Sequence, residues 1–212
     1  DRKVDGDSIV VPVPDTAKAA ADAFAFALGI PCVEGLIRNR YIGRTFIQPS
    51  ATRGASAKSK YTALPAVLEG KRVFLIEDSI VRSTTLASLA GQILQAGRAR
   101  EVHVRVACPP IVAPCFYGID MSTLGELFAP RFLAPGYRGS PSDAMLRKMA
   151  EKLGVSSLRY LSVDDLEQCL QLPGESLCRG CVTGKYPTRW GNRLMLHARR
   201  NHAAGKTGRT YE

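Results

Sequence analysis

The chain has 212 residues, 45% of them hydrophobic, so it is long enough to fold around a proper core. Lys and Arg outnumber Asp and Glu by 29 to 19, which gives a net charge of +10 and favours an anionic ligand. No stretch reaches the ~18 apolar residues that a membrane helix needs, and residues 1–7 lack a signal-peptide pattern. We therefore expect a cytoplasmic protein without membrane contact. The absence of an initiator Met indicates a fragment or a processed chain.

Strands and helices alternate along the first half of the chain. Ser8–Val13 reads as a buried strand, and Asp15 or Thr16 is placed to cap a helix over Ala17–Leu28 that stops at Gly29. The following residues 38–60 are basic, rich in Gly, Ser and Thr, and show little periodicity. Because long irregular segments inside compact domains are often functional, we expect a long flexible loop there.

The alternation continues in the second half. Ser162 and Asp165 form a predicted capping box at the start of a helix. The other predicted elements are the strands Val73–Glu77, Val102–Val106 and Leu158–Leu161 and the helices Thr84–Ala96 and Pro141–Leu153. This order predicts an α/β fold over residues 1–190, with a mostly parallel sheet and helices on both faces.

The end of the chain carries much of the positive charge. Arg and Lys recur through residues 189–209, together with Gly191, Gly205 and Gly208, which predicts a basic, flexible tail over 191–212. Solubility together with binding of an anionic small ligand explains such a charge. Binding of nucleic acid is the more specific alternative. No aromatic-rich or recognised nucleic-acid motif accompanies it, so we do not expect a nucleic-acid partner.

The most informative segment is Val73–Thr85. A short apolar strand ends in two adjacent acids, Glu77 and Asp78, and a loop rich in hydroxyl side chains leads into a helix. Acids can hold ribose hydroxyls or sit beside a metal, while loop amides and a helix N-terminus can hold phosphate. A plain strand-to-helix turn with an N-cap is the alternative. The layout favours a sugar phosphate at the carboxyl end of the strand.

Three segments resemble a known family. Val73–Thr85 resembles the signature of type I phosphoribosyltransferases, and its residues are similar to those of the amidophosphoribosyltransferases in particular. Pro12–Thr16 resembles the "PVPDS" turn of that family, and residues 34–47 resemble its flexible catalytic loop, which folds over phosphoribosyl diphosphate (PRPP). The resemblance runs from about Ser8 to Thr188 and implies a type I phosphoribosyltransferase fold.

The resemblance also implies roles for individual residues. Mg²⁺ would lie near Thr16, Glu77 and Asp78, and the closing catalytic groups would be Tyr41, Arg44 and Lys60. The residues expected to bind PRPP are Glu77, Asp78, Ser79, Arg82, Ser83, Thr84 and Thr85. The chain departs from the family where Glu77 replaces an Asp and Ser83 replaces a Gly, and its loop after Ile47 is poorer in charge.

The six cysteines occur without secretory features, so we do not expect disulfides. Cys178 and Cys181 form a CxxC that could be redox-active, a zinc half-site, a cluster half-site or chance. The surrounding sequence resembles the iron–sulfur branch of the family. That branch takes a third cluster ligand from a segment that corresponds to Cys115 in this chain. This implies a [4Fe–4S] cluster with one ligand missing, because the family's fourth cysteine lies upstream of the segment matching Asp1. The other cysteines, Cys32, Cys108 and Cys169, are expected to be buried apolar residues.

The implied reaction joins PRPP and ammonia to give 5-phosphoribosylamine and diphosphate, the first step of de novo purine biosynthesis. Use of glutamine would require a glutaminase domain upstream or in trans, since the resemblance covers only the phosphoribosyltransferase domain. It also implies inhibition by purine nucleotides and a homo-oligomer. The altered loop and Ser83 favour one alternative, a catalytically weak PRPP-binding or regulatory module. A basic, cluster-bearing nucleic-acid binder is the other.

Overall fold

The protein is described by a computed structural model over residues 4–39, 60–119, 121, 123–133, 137 and 139–206. The chain divides into two compact units. The first comprises residues 1–78, 83–107 and 146–159, and the second comprises 79–82, 108–145 and 160–212. The domain that the sequence predicts over residues 1–190 includes residues of both units.

A four-stranded sheet forms the centre of the first unit. Its four strands are β1 Ser8–Pro12, β4 Arg72–Glu77, β5 Glu101–Val106 and β6 Ser157–Tyr160. They lie in the order β1, β4, β5, β6 across the sheet, and the pairs β1–β4 and β4–β5 are parallel. The predicted mostly parallel sheet is therefore confirmed, and each predicted strand lies within about a residue of its observed position.

The strands are buried because their residues are almost all apolar, as is typical of parallel strands covered by helices. Val10, Leu75 and Val104 are completely inaccessible to solvent. The longer helices of this unit are α1 Lys18–Leu28, α3 Ser83–Gln95 and α4 Asp143–Leu153, the last beginning in the second unit. Helix α3 buries Leu86, Leu89, Ala90 and Ile93, the i, i+3, i+4, i+7 pattern of one helix face.

The ends of α1 differ from one another. Gly29 terminates the helix in the left-handed region at φ 66°, as predicted. At the start, the N-cap residue is Ala17, which has no side-chain capping hydrogen bond, so neither Asp15 nor Thr16 caps the helix as we expected. Thr16 and Asp15 precede the N-cap residue by one and two positions, and the Asp15 carboxylate pairs with Arg38 instead.

A small hairpin accompanies the central sheet. Strand β2, Leu36–Arg38, pairs antiparallel with β3, Tyr61–Ala63, and a short helix, α2 Pro65–Leu68, follows. The hairpin brackets the segment that we predicted as a long flexible loop. Tyr41 and Arg44 lie outside the described residues.

The second unit is built from helices and 3₁₀ turns. They are α5 Val163–Leu170, α6 Gly180–Thr183, α7 Arg189–Ala203 and the 3₁₀ turns Leu124–Glu126, Ala129–Arg131 and Gly174–Ser176. The predicted capping box of α5 is confirmed: the Asp165 amide donates to the Ser162 hydroxyl, and the Ser162 amide donates to the Asp165 carboxylate. A small core forms around Ala113, Tyr186 and Met195.

Helix α7 stands where the sequence predicted the start of a flexible tail. Gly191, Met195 and Ala198 are buried along one face, at a spacing of four and three residues. A Cβ added at Gly191 would lie 2.6 Å from the Tyr186 Cβ, so the glycine allows close helix packing. The prediction failed because the packing partner, Tyr186, is visible only in the folded chain.

The helices in the described part of the chain are all too short or too polar to span a bilayer.

Candidate functional site

The turns that follow β1 and β4 meet at one edge of the sheet. Pro12 pairs with Ile76, and the Val13 amide donates to the Ile76 carbonyl over 2.9 Å. Because the strands are parallel, their carboxyl ends point the same way, and ligands of open α/β sheets bind beyond such ends. Exposed Thr16 follows β1, and Asp78 follows β4. The structure thus places two of the predicted segments side by side.

Glu77 and Asp78 are adjacent acids in different environments. The Glu77 side chain is buried, with 8% of the residue exposed, whereas Asp78 is half-buried. Burial, together with the neighbouring Asp78 charge, raises the pKa of Glu77 to about 8. The Asp78 amide also donates to the Glu77 Oε1 over 3.1 Å. At neutral pH Glu77 is therefore mostly a neutral acid that can donate a hydrogen bond.

Helix α3 begins at Ser83, with Thr84 and Thr85 in its first turn. The first amides of a helix have no intrahelical acceptor and carry partial positive charge. The first turn of α3 contains no acidic residue, and Thr84 is exposed. A helix start of this kind, with hydroxyl side chains beside its amides, is chemically suited to bind a phosphate.

The residues between strand and helix belong to the second unit. The Phe128 amide donates to the Val81 carbonyl over 2.9 Å, and Ile80 is buried. Arg82 Nη2 lies 3.0 Å from Glu126 Oε2 in an ion pair. We expected Arg82 to supply a mobile positive charge for phosphate. The structure shows that Glu126 already pairs with it, so its charge is partly neutralised.

The hairpin places Tyr61 and Arg38 beside the turn after β1. The Tyr61 hydroxyl donates to the Pro14 carbonyl over 3.3 Å, and Arg38 Nη1 lies 2.8 Å from Asp15 Oδ2. Burial, and then the nearby charge of Glu77, raises the pKa of Tyr61. Neither Tyr61 nor Arg38 was among the predicted site residues. The sequence feature that could have identified them is their position, because both directly flank the predicted loop.

Lys60 is the one predicted closing residue within the described part of the chain. Its carbonyl accepts a hydrogen bond from the Asn39 amide over 2.8 Å, next to the hairpin. Its ammonium lies 5.6 Å from the centre of the Tyr61 ring, a cation–π distance. Lys60 is thus held at the base of the segment that contains Tyr41 and Arg44.

The second unit brings the segments of Cys115 and Cys181 together. The Val112 and Ala113 amides both donate to the Cys181 carbonyl, over 2.8 and 3.0 Å, and the Tyr186 hydroxyl donates to the Pro114 carbonyl over 2.5 Å. Burial raises the pKa of the Cys181 thiol, and the nearby thiols of Cys115 and Cys178 raise it further.

These cysteines do not by themselves fit the cluster that the resemblance implies. A [4Fe–4S] cluster requires four thiolate ligands. In the part of the chain that the structure describes, no group of three or more His, Cys, Asp or Glu side chains could hold a metal ion. Of the remaining cysteines, Cys169 is exposed, contrary to our expectation, and Cys32 and Cys108 are half-buried.

Comparison with curated proteins finds close relatives, although the chain matches no family model. It is 45% identical over 181 residues to the amidophosphoribosyltransferase of Methanothermobacter thermautotrophicus, covering 85% of this chain and 35% of that protein. It is 43% identical over 185 residues to the Bacillus subtilis amidophosphoribosyltransferase, covering 85% and 36%. The chain thus spans about a third of the length of these relatives.

Two solved structures have the same fold. One is the glutamine PRPP amidotransferase of Bacillus subtilis complexed with ADP and GMP, with a TM-score of 0.67 and 42% identity. It is matched over 86% of this chain and 38% of that chain. The other is described as the allosteric regulatory enzyme of purine biosynthesis, with a TM-score of 0.68 and 42% identity over 86% of this chain and 37% of that one.

Proposed function

We propose that this chain, a homologue of the amidophosphoribosyltransferases over about a third of their length, transfers a phosphoribosyl group from PRPP to ammonia. The products are 5-phosphoribosylamine and diphosphate, as in the first step of purine biosynthesis. The observation that most supports this proposal lies at the end of β4, where two acids precede a hydroxyl-rich helix start.

The start of α3 would bind the 5-phosphate of PRPP. The hydroxyls of Ser83, Thr84 and Thr85 and the free amides of the first turn would donate to phosphate oxygens. Each charge-assisted contact of this kind contributes about 1.5–3 kcal/mol. Ser79 and Arg82 stay predicted members of this phosphate site, and Arg82 would have to leave Glu126 to join it.

The two acids would divide the recognition of the ribose. Asp78 would accept hydrogen bonds from the ribose hydroxyls, and the neutral Glu77 carboxyl would donate one. Mg²⁺, which typically takes one or two carboxylates together with substrate phosphates, would neutralise charge on the diphosphate. In this proposal Asp78 and Thr16 contribute its protein oxygens, whereas protonated Glu77 makes a poor ligand.

The chemical step forms a bond between the ammonia nitrogen and C1 of the ribose. The C1–oxygen bond breaks, its electron pair leaves with diphosphate, and the nitrogen then loses a proton to solvent. Catalysis would come from positioning and from positive charge near the leaving group. Lys60 is the described candidate for that charge, and Tyr41 and Arg44 are predicted to close over the diphosphate and exclude water.

Several finer features are part of the same proposal. We expect glutamine use to depend on a glutaminase domain and the protein to be a cytoplasmic homo-oligomer. Because the Bacillus subtilis structure contains ADP and GMP, we also expect purine nucleotides to inhibit this chain. The iron–sulfur cluster at Cys115, Cys178 and Cys181 stays a prediction of the resemblance. Iron and sulfide analysis of anaerobically purified protein would test it.

Calorimetry with Mg²⁺ and PRPP, beside an assay for phosphoribosylamine with ammonia or glutamine, tests the proposal. We expect Asp78→Asn to bind PRPP at least about tenfold more weakly, because one charged hydrogen bond is worth about 1.5–3 kcal/mol. Glu151→Gln removes an exposed carboxylate elsewhere in the first unit and should bind normally. Unchanged PRPP affinity in Asp78→Asn would refute the site, and product from glutamine alone would refute the dependence on ammonia.

A second candidate is a PRPP-binding module with little turnover. The burial of Glu77 favours it, because a neutral acid supplies less charge for the metal than the Asp that the family usually carries. Under this alternative, PRPP binding would be tight and sensitive to Asp78→Asn, but ammonia would give no phosphoribosylamine. Turnover with ammonia would exclude it.

A further inference from the structure

Positive charge is strongly segregated along this chain. Residues 176–211 contain eight of the 29 Lys and Arg residues and none of the 19 Asp and Glu residues. Helix α7 lies within this region and carries four of those cations, all of them arginine. The acid-free region therefore holds most of the net charge of +10.

The packing of α7 determines which of its residues face solvent. Gly191, Met195 and Ala198 are buried, so the helix cannot roll without exposing them. At 100° per residue, Arg189, Arg193 and Arg200 lie within about 40° of one another on the opposite side. All three are exposed, and within the described residues none of them forms an ion pair. We call these three arginines, with Trp190, the outer face of α7.

Trp190 adds an aromatic surface to this face. It is the only tryptophan of the chain and is 69% exposed. The Arg193 guanidinium lies 5.4 Å from the centre of its ring, a cation–π contact. An exposed aromatic ring among arginines is the arrangement on which bases of single-stranded nucleic acids stack.

We propose that the outer face of α7 binds single-stranded nucleic acid. Arg189, Arg193 and Arg200 contact successive phosphates, since their rise along the axis is about 6 and 10 Å, and Trp190 stacks on a base. The sequence argued against such a partner because it showed no aromatic motif. The structure supplies what was missing by placing Trp190 beside the arginines on one exposed surface.

The structure also favours single-stranded nucleic acid over other anionic partners. A helix that lies in a membrane interface buries a continuous apolar face in lipid, whereas the buried face of α7 packs against its own protein and leaves only Trp190 and Leu196 as exposed large hydrophobic side chains of the helix. An acidic protein segment could neutralise the charges but would not require the exposed tryptophan. The exclusive use of arginine in α7 matches the geometry of phosphate, which guanidinium groups bind in a bidentate manner.

Fluorescence anisotropy with the full chain and a short labelled oligouridylate tests this proposal. An oligothymidylate of the same length and the corresponding duplex distinguish RNA, single-stranded DNA and double-stranded DNA. We expect the single strands to bind more tightly than the duplex. The fluorescence of Trp190 should be quenched on binding, and because it is the sole tryptophan, the quenching reports on this face alone.

Two triple variants with the same change in net charge provide the control. R189Q/R193Q/R200Q neutralises the outer face of α7, and R147Q/K148Q/K152Q neutralises three exposed cations on α4. We expect the α7 variant to bind at least about tenfold more weakly and to reduce the salt slope by about 2, at ~0.7 per phosphate contact. The α4 variant should bind within about twofold of the unmodified chain, and W190A should lose affinity without a change in the salt slope.

Four outcomes would overturn the proposal. One is the absence of single-strand binding at low salt. Another is an equal loss of affinity in the two triple variants, which would mean that net charge alone drives binding. The third is binding without Trp190 quenching, which would place the nucleic acid elsewhere on the chain. The fourth is binding of polyglutamate or phosphatidylserine vesicles as tight as that of the oligonucleotides, which would identify a different partner.

Discussion

Adjacent residues of the same chemical class can lie in different environments, and Glu77 and Asp78 illustrate the consequence. Glu77 is the last residue of β4, where its side chain enters the buried layer of the unit, whereas Asp78 has already left the sheet. Removing a carboxylate from water costs free energy, so the buried acid keeps its proton. Asp78 is therefore the stronger candidate for charged contacts with ribose or Mg²⁺.

The buried acid makes stability depend on pH. The unfolded chain releases the Glu77 proton near pH 4.5, but the folded chain holds it up to about pH 8. Because the folded state binds more protons in this window, the free energy of unfolding should fall as pH rises through it, by up to ~1.4 kcal/mol per pH unit. Glu77→Gln has no proton to lose, so we expect its free energy of unfolding to exceed that of the parent increasingly toward pH 8.

Urea unfolding at several pH values measures this difference. Glu151→Gln, which removes an exposed carboxylate, should give a pH profile parallel to that of the parent chain. If Glu77→Gln also ran parallel to the parent chain, Glu77 would be ionised in the folded protein and the division of roles between the two acids would fail.

At the level of elements, close packing determines how α3 leads into β5. Gly97 follows the helix, and a Cβ at this position would lie 2.6 Å from both the Ile93 carbonyl oxygen and the Leu68 Cδ1. Leu68 is completely buried and belongs to α2, which follows the hairpin. A single glycine therefore allows α3 to end against α2, on the same unit that positions the candidate site.

Two alanine substitutions test this contact. Gly97→Ala should lower the free energy of unfolding by about 1–3 kcal/mol, the usual cost of overpacking. Gly91→Ala, inside α3, meets no atom within 4 Å and should raise it by about 0.5–1 kcal/mol through better helix propensity. Denaturant midpoints of the two variants should move in opposite directions. A Gly97→Ala variant as stable as the parent would show that the contact relaxes without cost.

At the level of the whole molecule, the candidate site and the basic helix lie in different compact units. The first unit holds Glu77, Asp78 and the start of α3, and the second holds α7. The proposed PRPP binding and the proposed nucleic-acid binding thus rest on separate residues. Variants of one surface are expected to leave the other intact, which makes the two proposals independently testable.

Binding of PRPP should stabilise the folded chain. At a concentration one hundred times its dissociation constant, a ligand adds about 2.7 kcal/mol, which corresponds to a rise of roughly 5–10 °C in Tm for a chain of this size. Thermal denaturation with Mg²⁺ and PRPP measures the effect. Asp78→Asn should show a smaller rise at the same concentration, and R189Q/R193Q/R200Q should match the parent. Equal rises in Asp78→Asn and the parent would argue against the site.

Much of the fold followed from local patterns. The strands β1 and β4, the helix α3 and the capping box of α5 were placed within about two residues because apolar periodicity and capping residues are contiguous in sequence. The failures share one cause. The cap expected at Asp15 or Thr16, the burial of Cys169 and the flexible tail at α7 all depended on partners elsewhere in the chain.

The sequence alone determined the alternation of strands and helices and the chemistry after β4, since neighbouring residues are enough to specify a strand, a helix start and a pair of acids. Only the tertiary structure decided that Glu77 is buried, that Glu126 pairs with Arg82 and that the Tyr61 hydroxyl reaches Pro14, 47 residues away. Ionisation and pairing depend on the solvent and charges around a side chain, and folding assembles those surroundings from distant parts of the chain.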